Sequence, residues 1–364
     1  MNTRLLFSGN DAFGEAAILS GCEFYAGYPI TPQNELTQYM SRRMLEEGRI
    51  FIQSESELAS INMVFGASLS GVRAMTSSSS PGISLMQEGI SYLAGCELPA
   101  VIVNVMRGGP GLGNIDPSQA DYFQSTRGGG HGDYRTPVLA PESVPEIFKL
   151  TPVAFELADK YRTPVILLGD GMLGQMMEPV DTELLNIKNK VYPKPWALTG
   201  CLKRKPQSIK SLYLATGALE ELNLRLQERY RRIEEQEVRF QSQISSKDNL
   251  LIVAYGTMAR IAKGVIKALK SENINVGLFR PVTLWPFPSK ELKNSASDVK
   301  NILVLEMSSP QMHEDVRLAL PSGFKIDFLG RMGGIIPSED EIIEKIKKML
   351  KVDGRLNEKS KIKN

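Results

Sequence analysis

The side chains in this sequence that could do chemistry gather where strands would hand over to helices. Tyr28-Pro29-Ile30-Thr31-Pro32 sets a hydroxyl between two prolines at such a junction. Proline fixes φ, so Thr31 sits on a stiff turn beside a helix N-terminus, where it could contact a ligand or serve as a plain cap. Gln53-Ser54-Glu55-Ser56-Glu57 opens a helix of small residues that reaches Gly66 and Ala67. A carboxylate there can act as a general acid or base. Yet Ser54-x-x-Glu57 has the spacing of a capping box, and Glu is favoured in a first turn by the helix dipole. Thr76-Ser77-Ser78-Ser79-Ser80-Pro81-Gly82 collects hydroxyls and N–H groups ahead of a proline-started helix. Such a run can bind an anion or a polar ring, or be a serine-rich loop with a cap. Arg107 comes directly before Gly108-Gly-Pro-Gly-Leu-Gly113-Asn114. A guanidinium beside glycines that allow close approach suits a carboxylate or phosphate, with a surface ion pair as the alternative. The glycines read G-x-G-x-G, not the dinucleotide G-x-G-x-x-G. Gly169-Asp170-Gly171 reads as a strand-ending turn rather than a metal turn.

These junctions need a scaffold that brings them together. Over residues 1–185 the pattern predicts helices at 12–19, 32–45, 57–70, 82–94 and 143–160, and strands at 22–26, 51–53, 72–76, 101–106 and 164–168. That order implies a doubly wound parallel sheet, and the apolar run Val101 to Met106 is the kind buried in one. Such sheets bind ligands at their carboxyl ends, where the residues above fall. Residues 186–249 form a polar linker. Within it Leu219, Leu222, Leu226, Tyr230 and Ile233 recur at helical spacing, which predicts a charged helix with its apolar face on the protein, or against a coiled-coil partner. Residues 250–350 resume the α/β alternation as a second domain, closed by a helix with the capping box Ser338-x-x-Glu341. A polar tail takes 351–364.

Composition excludes several classes. With 364 residues, Lys+Arg 43 against Asp+Glu 41 leaves a net charge of +2, so binding of nucleic acid by bulk positive charge is out. No apolar run approaches the roughly 18 residues that span a bilayer, and no membrane association is expected. The N-terminal run meets Gly9-Asn10-Asp11 too soon for a signal peptide, so the expected location is the cytoplasm. Three cysteines, Cys22, Cys96 and Cys201, are too few for an iron–sulfur cluster on this chain, which needs about four thiolates. The two histidines, His131 and His313, are far apart in sequence, so no metal site is expected.

Taken in order, YPITP (28–32), QSESE with its small-residue helix (53–67), TSSSSPG (76–82), VMRGGPGLGN (105–114) and GGGHGD (128–133) resemble the alpha subunit of 2-oxoacid:ferredoxin oxidoreductases. The resemblance runs through nearly the whole chain. It is closest to the branched-chain type, which acts on 3-methyl-2-oxobutanoate: Gly111-Leu-Gly-Asn-Ile-Asp-Pro-Ser-Gln replaces the Ser-Thr-Gly-Leu-Pro-Thr of the 2-oxoglutarate type. It implies a pyrimidine-type thiamine-diphosphate-binding domain followed by a transketolase C-terminal-like α/β domain, the latter carrying Arg280-Pro-Val-x-x-x-Pro-Phe-Pro288. It further implies oxidative decarboxylation of a 2-oxoacid with CoA to acyl-CoA and CO2, electrons leaving to ferredoxin. Glu57, with Glu55 as local competitor, falls on the cofactor-activating glutamate, whose carboxyl bonds the pyrimidine N1′. Thr31 and Arg107 fall on substrate positions, Arg107 holding the 2-oxoacid carboxylate. Tyr28, Pro29, Ser78, Ser79 and Ser80 are then cofactor contacts, and Asn114 and His131 candidates for a substrate or CoA contact, with loop ordering as the other role for His131. Mg²⁺, the diphosphate cradle and the iron–sulfur clusters would sit on beta, gamma and ferredoxin-like delta subunits. The competing readings are the same chemistry on 2-oxoglutarate or another 2-oxoacid, a non-catalytic subunit of such a complex, and a nucleotide-binding protein using glycines 108–113.

Overall fold

The computed structural model describes residues 3–352. The tail expected at 351–364 therefore lies outside the described residues from position 353 on. The first half contains β1 (Arg4–Ser8), α1 (Gly9–Leu19), β2 (Phe24–Gly27), α2 (Asn34–Glu46), β3 (Ile50–Gln53), α3 (Glu57–Leu69), β4 (Ala74–Ser78), α4 (Ser80–Gly95) and β5 (Ala100–Met106). It continues with α5 (Tyr122–Thr126), β6 (Val138–Leu139), α6 (Val144–Tyr161), β7 (Pro164–Asp170), α7 (Gly171–Gln175) and β8 (Met177–Asp181). Beyond the linker come α8 (Ala218–Gln236), β9 (Phe240–Gln243), β10 (Leu250–Val253), α9 (Gly256–Ser271), β11 (Val276–Pro281) and β12 (Thr283–Trp285). The chain closes with α10 (Ser289–Ser295), β13 (Asn301–Glu306), α11 (Met312–Ala319), β14 (Lys325–Gly330) and α12 (Glu339–Val352).

A seven-stranded sheet runs β12-β6-β7-β5-β4-β2-β3, parallel except for β12, and a five-stranded sheet runs β14-β13-β10-β11-β9, parallel except for β9. β5 and β7 lie side by side and are buried at every position, as their apolar sequences demand in a sheet covered on both faces. In α8, Leu222, Leu226, Tyr230 and Ile233 are buried, so its apolar face packs on the protein, and most of its charges face solvent while Arg229 pairs with Glu97; Leu219 is exposed. Ser338 and Glu341 exchange the reciprocal bonds of a capping box at the start of α12. Among the described residues no helix is long and apolar enough to cross a membrane.

The sheets do not keep to the divisions expected from the sequence. β12, from the stretch assigned to the second domain, pairs antiparallel with β6 and so belongs to the first sheet. β9, from the stretch assigned to the linker, forms the edge of the second. β1 and β8, unread in the sequence, make a separate antiparallel ribbon. Across the junction, Gln119 is bonded on every side. Its N–H reaches the Met307 carbonyl, its Oε1 accepts the Met307 N–H, and its Nε2 donates to the Tyr255 carbonyl. Arg280 of β11, fully buried, grips Glu146 of α6 with both Nη atoms, one at 2.9 Å, and lies 3.7 Å from Glu142.

Glu306 ends β13 at this junction and accepts N–H bonds from Gln311, Met312 and His313 at the start of α11. Burial pushes its carboxyl up to about 7 against the pull of those bonds. Folding therefore favours its protonated form. That stabilisation is present below the unfolded value of 4.5 and is lost as pH rises through about 7. The denaturant midpoint should accordingly fall between about pH 5.5 and about pH 8, and Glu306→Gln should narrow the fall. An unchanged fall in the variant would assign the pH dependence to other groups.

Candidate active site

Residues at the carboxyl ends of β2, β3, β4 and β5 converge at one end of the first sheet's strands. At α3 the competition between capping and chemistry is decided by geometry. Ser56, not Ser54, is the N-cap, its Oγ accepting the Ala59 N–H at 3.2 Å. Ser54 is turned to Ser56 and Ser60. Glu57 therefore does not serve a capping box. Its side chain is buried and points to Ser78, whose Oγ lies 3.4 Å from Oε1, whereas Glu55 is exposed.

Ser78 closes β4 and Ser79 stands at the N-cap position of α4, yet the Ser79 side chain caps nothing. Its Oγ is buried and has no partner. A buried hydroxyl without a bond costs free energy unless a ligand supplies one. At Gly82 a Cβ would collide with Ser78 Oγ and Glu57 Oε1, so glycine is what lets both polar atoms close in on the start of α4. A buried carboxyl and an unsatisfied hydroxyl, with glycine allowing close approach beside them, suit the polar edge of a heterocyclic ring.

Arg107 is 6% exposed. Its Nη1 donates to the Thr31 carbonyl at 3.0 Å and its Nη2 to the Leu112 carbonyl at 2.9 Å, while Nε has no partner. Among the described residues this cation is thus held by carbonyls and not by a carboxylate. Thr31 Oγ1 accepts a bond from Asn34, and Tyr28 and Pro29 are exposed on the same turn. Gln33, fully buried, ties that turn to β4: its Nε2 donates to the Tyr28 carbonyl and its Oε1 accepts from Ser77. Ser80 links the two halves of the site. Its Oγ accepts the Arg107 N–H at 3.0 Å and donates to Asp121 Oδ2 at 2.6 Å.

Glu57, Ser78, Ser79, Ser80, Thr31 and Arg107 are thus brought together, with Tyr28 and Pro29 at the rim. Asn114 lies near the rim in a bracing role. Its Nδ2 donates to Asp116 and to the Gly333 carbonyl, pinning the 108–116 loop to the second domain. His131 is not brought in. Its carbonyl is bonded by Ser91 of α4 and its ring meets Tyr92 edge-on. Ser91 is eleven positions beyond Ser80 on the same helix, about 16 Å at 1.5 Å per residue. Asp170 is turned inward, its Oδ1 capping Met172 and Leu173 of α7. Among the described residues no group of three or more His, Cys, Asp or Glu could hold a metal ion. Gln33 and Asp121 were not read as site residues. Gln33 could have been found as a polar residue on the inward face next to YPITP; Asp121 carried no signal.

Residues 15–242 match the thiamine-diphosphate-binding model described as pyruvate flavodoxin/ferredoxin oxidoreductase, and residues 249–342 match core domain II of pyruvate:ferredoxin oxidoreductase. The chain belongs to this oxidoreductase family. It is 48% identical to the ketoisovalerate oxidoreductase subunit VorB of Methanothermobacter thermautotrophicus over 345 residues, covering 94% of this chain and 97% of the relative. It is 34% identical to the 2-oxoglutarate synthase subunit KorA of Methanothermobacter marburgensis, covering 95% and 99% respectively. Among solved structures, a 2-oxoglutarate:ferredoxin oxidoreductase from Magnetococcus marinus, with 2-oxoglutarate, coenzyme A and succinyl-CoA bound, superposes with a TM-score of 0.87 at 26% identity. The match covers 95% of this chain, which spans 65% of that solved chain's length. A split-gene transketolase shares the fold alone, with a TM-score of 0.59 at 14% identity. The family read from the motifs is the family found, and with it the α/β thiamine-diphosphate-binding fold and the 2-oxoacid:ferredoxin oxidoreductase class.

Proposed function

We propose that the chain is the alpha subunit of a cytoplasmic complex that oxidatively decarboxylates 3-methyl-2-oxobutanoate with CoA, giving the acyl-CoA, CO2 and reduced ferredoxin. The observation that carries this reading is the joining, through Ser80 at the start of α4, of a buried polar cluster (Glu57, Ser78 and the unpartnered Ser79 hydroxyl) to a buried arginine with no carboxylate partner. Thiamine diphosphate would supply the electron sink that lets the bond to CO2 break. Glu57 would hold a proton at the pyrimidine N1′ edge, with the Ser78 and Ser79 hydroxyls beside it and Ser80, Tyr28 and Pro29 bounding that cluster. Arg107 would hold the substrate carboxylate through N–H groups that the two carbonyls leave free, and Thr31 would bound the oxoacid. Burial of that cation strengthens its pull on an anion.

The choice of a branched acyl group is supported by similarity, 48% to a ketoisovalerate subunit against 34% to a 2-oxoglutarate subunit. It is supported also by the loop after Arg107: Gly108 to Gln119 offers Leu112 and Ile115, both exposed, and no basic residue to meet a second carboxylate. Leu112, Ile115, Met332 and Ile335 form an exposed apolar rim around the Asn114–Gly333 contact. This rim suits a site completed by another subunit carrying Mg²⁺ and the diphosphate cradle. With three cysteines, two of them buried, the chain leaves the iron–sulfur clusters to beta, gamma or delta partners.

The test is CoA-dependent ferredoxin reduction by the complex purified with its partners, against pyruvate, 2-oxoglutarate, 3-methyl-2-oxobutanoate and indolepyruvate. Preference for the branched acid is expected; preference for another would overturn the pocket assignment and keep the chemistry. Arg107→Met should raise the 2-oxoacid KM by roughly 10- to 100-fold, the worth of a charge-assisted bond. An unchanged KM would remove Arg107 from the substrate site.

A further inference from the structure

Arg107 is fixed from its backbone as well as from its side chain. Its N–H is accepted by Ser80 Oγ at 3.0 Å, while its own carbonyl lies 3.2 Å from that hydroxyl and competes for the single hydroxyl proton. Asp121 settles the competition. Its Oδ2 takes the Ser80 proton at 2.6 Å, and the same oxygen accepts Asn104 Nδ2 from inside β5 at 2.9 Å. A carboxylate outcompetes a carbonyl for a proton, so the Ser80 lone pair is left facing the Arg107 N–H. Asp121 thereby joins the first residue of α4 to the last positions of β5.

The segment carrying Asp121 is itself anchored. Ser118 and Gln119 bond Met307, Gln311 bonds the Ala120 carbonyl and the Phe123 N–H, and Tyr122 bonds Asp315. The second domain therefore holds Asp121, and Asp121 holds Ser80 and Arg107. The tether sets where the guanidinium can meet a bound carboxylate, so its loss should be read in binding rather than in turnover.

We propose that Asp121 is a positioning residue that, through Ser80, fixes the substrate-binding arginine relative to the helix that carries the cofactor-facing hydroxyl. This rests on the reading in which Arg107 binds the substrate carboxylate, and the test separates the two. Asp121→Ala, Asp121→Asn, Ser80→Ala and Arg107→Met would be prepared in the intact complex. KM and kcat would be measured with 3-methyl-2-oxobutanoate, and the Kd of the unreactive carboxylate 2-hydroxy-3-methylbutanoate by calorimetry.

Asp121→Ala should raise both KM and the analogue Kd about tenfold, with kcat changed less than about threefold. Asp121→Asn, whose amide oxygen can take both bonds but without the charge that outcompetes the Arg107 carbonyl, should raise both less than Asp121→Ala does. Ser80→Ala should reproduce the rise, and it carries the test if Asp121→Ala does not assemble. A loss of stability or yield with KM and analogue Kd unchanged would mean that Asp121 only supports the fold, and would overturn the proposal. If Arg107→Met leaves the analogue Kd unchanged, the reading of Arg107 falls, and the proposal with it. If Arg107→Met weakens the analogue and neither Asp121→Ala nor Ser80→Ala does, the proposal alone falls.

Discussion

Glu57→Gln should lower kcat of the assembled complex by about 10²- to 10⁴-fold, the range for loss of a positioned acid–base group, while the protein folds and still takes up thiamine diphosphate. The structure explains why the two effects separate. Helix α3 is capped by Ser56, so its start does not depend on the Glu57 carboxylate. Loss of the charge from the first turn costs the helix only about 0.3–1 kcal/mol through the dipole. Glutamine keeps the volume beside Ser78 and Gly82 but cannot share a proton with a ring nitrogen. Steady-state ferredoxin reduction and bound thiamine diphosphate, measured on the same preparation, check the result. Activity within about threefold of wild type would identify this chain as a non-catalytic subunit.

Arg280→Met should destabilise the chain by about 3–5 kcal/mol, the cost of breaking a buried ion pair from one side. Arg280 is wholly buried. Its guanidinium bonds Glu146, the Ala140 carbonyl and Gln241, so three stretches of chain meet on one side chain. Methionine fills the stem's volume but leaves Glu146 without its counter-ion. Glu146→Gln in the same background should recover part of the loss, because the remaining partner is then neutral. Denaturant midpoints of the two variants against wild type measure it. A single variant within about 0.5 kcal/mol of wild type would show that the pair contributes nothing net.

Much of the scaffold was legible because its signals are local. The apolar run at β5, the stripe on α8 and the reciprocal pair Ser338/Glu341 each carry their own periodicity or spacing. Glu57 was legible as a carboxylate at a helix start, but not whether it served the cap. Ser54 and Ser56 both have hydroxyls within capping reach, and only the backbone decides which is used. β12 escaped because three residues set no period, and its partner β6 lies more than a hundred residues earlier. β1 and β8 escaped because an exposed ribbon needs no apolar alternation. His131 follows Arg107 closely along a glycine-rich stretch, which suggested a shared site. The chain instead passes through α5 and returns against α4 well away from Ser80. Asp121 was invisible because its role lies in which proton it accepts, and no spacing encodes that.

The exchange of β12 into the first sheet also governs how the chain is made. Val138–Leu139 stays an open sheet edge until Trp285 has left the ribosome, and the Arg280–Glu146 grip is equally late. At about 5–20 residues per second the interval between those points is on the order of ten seconds. During it the backbone groups of Val138–Leu139 are left to water on that side. A chain that stops before Arg280 therefore lacks the partners of both Val138–Leu139 and Glu146.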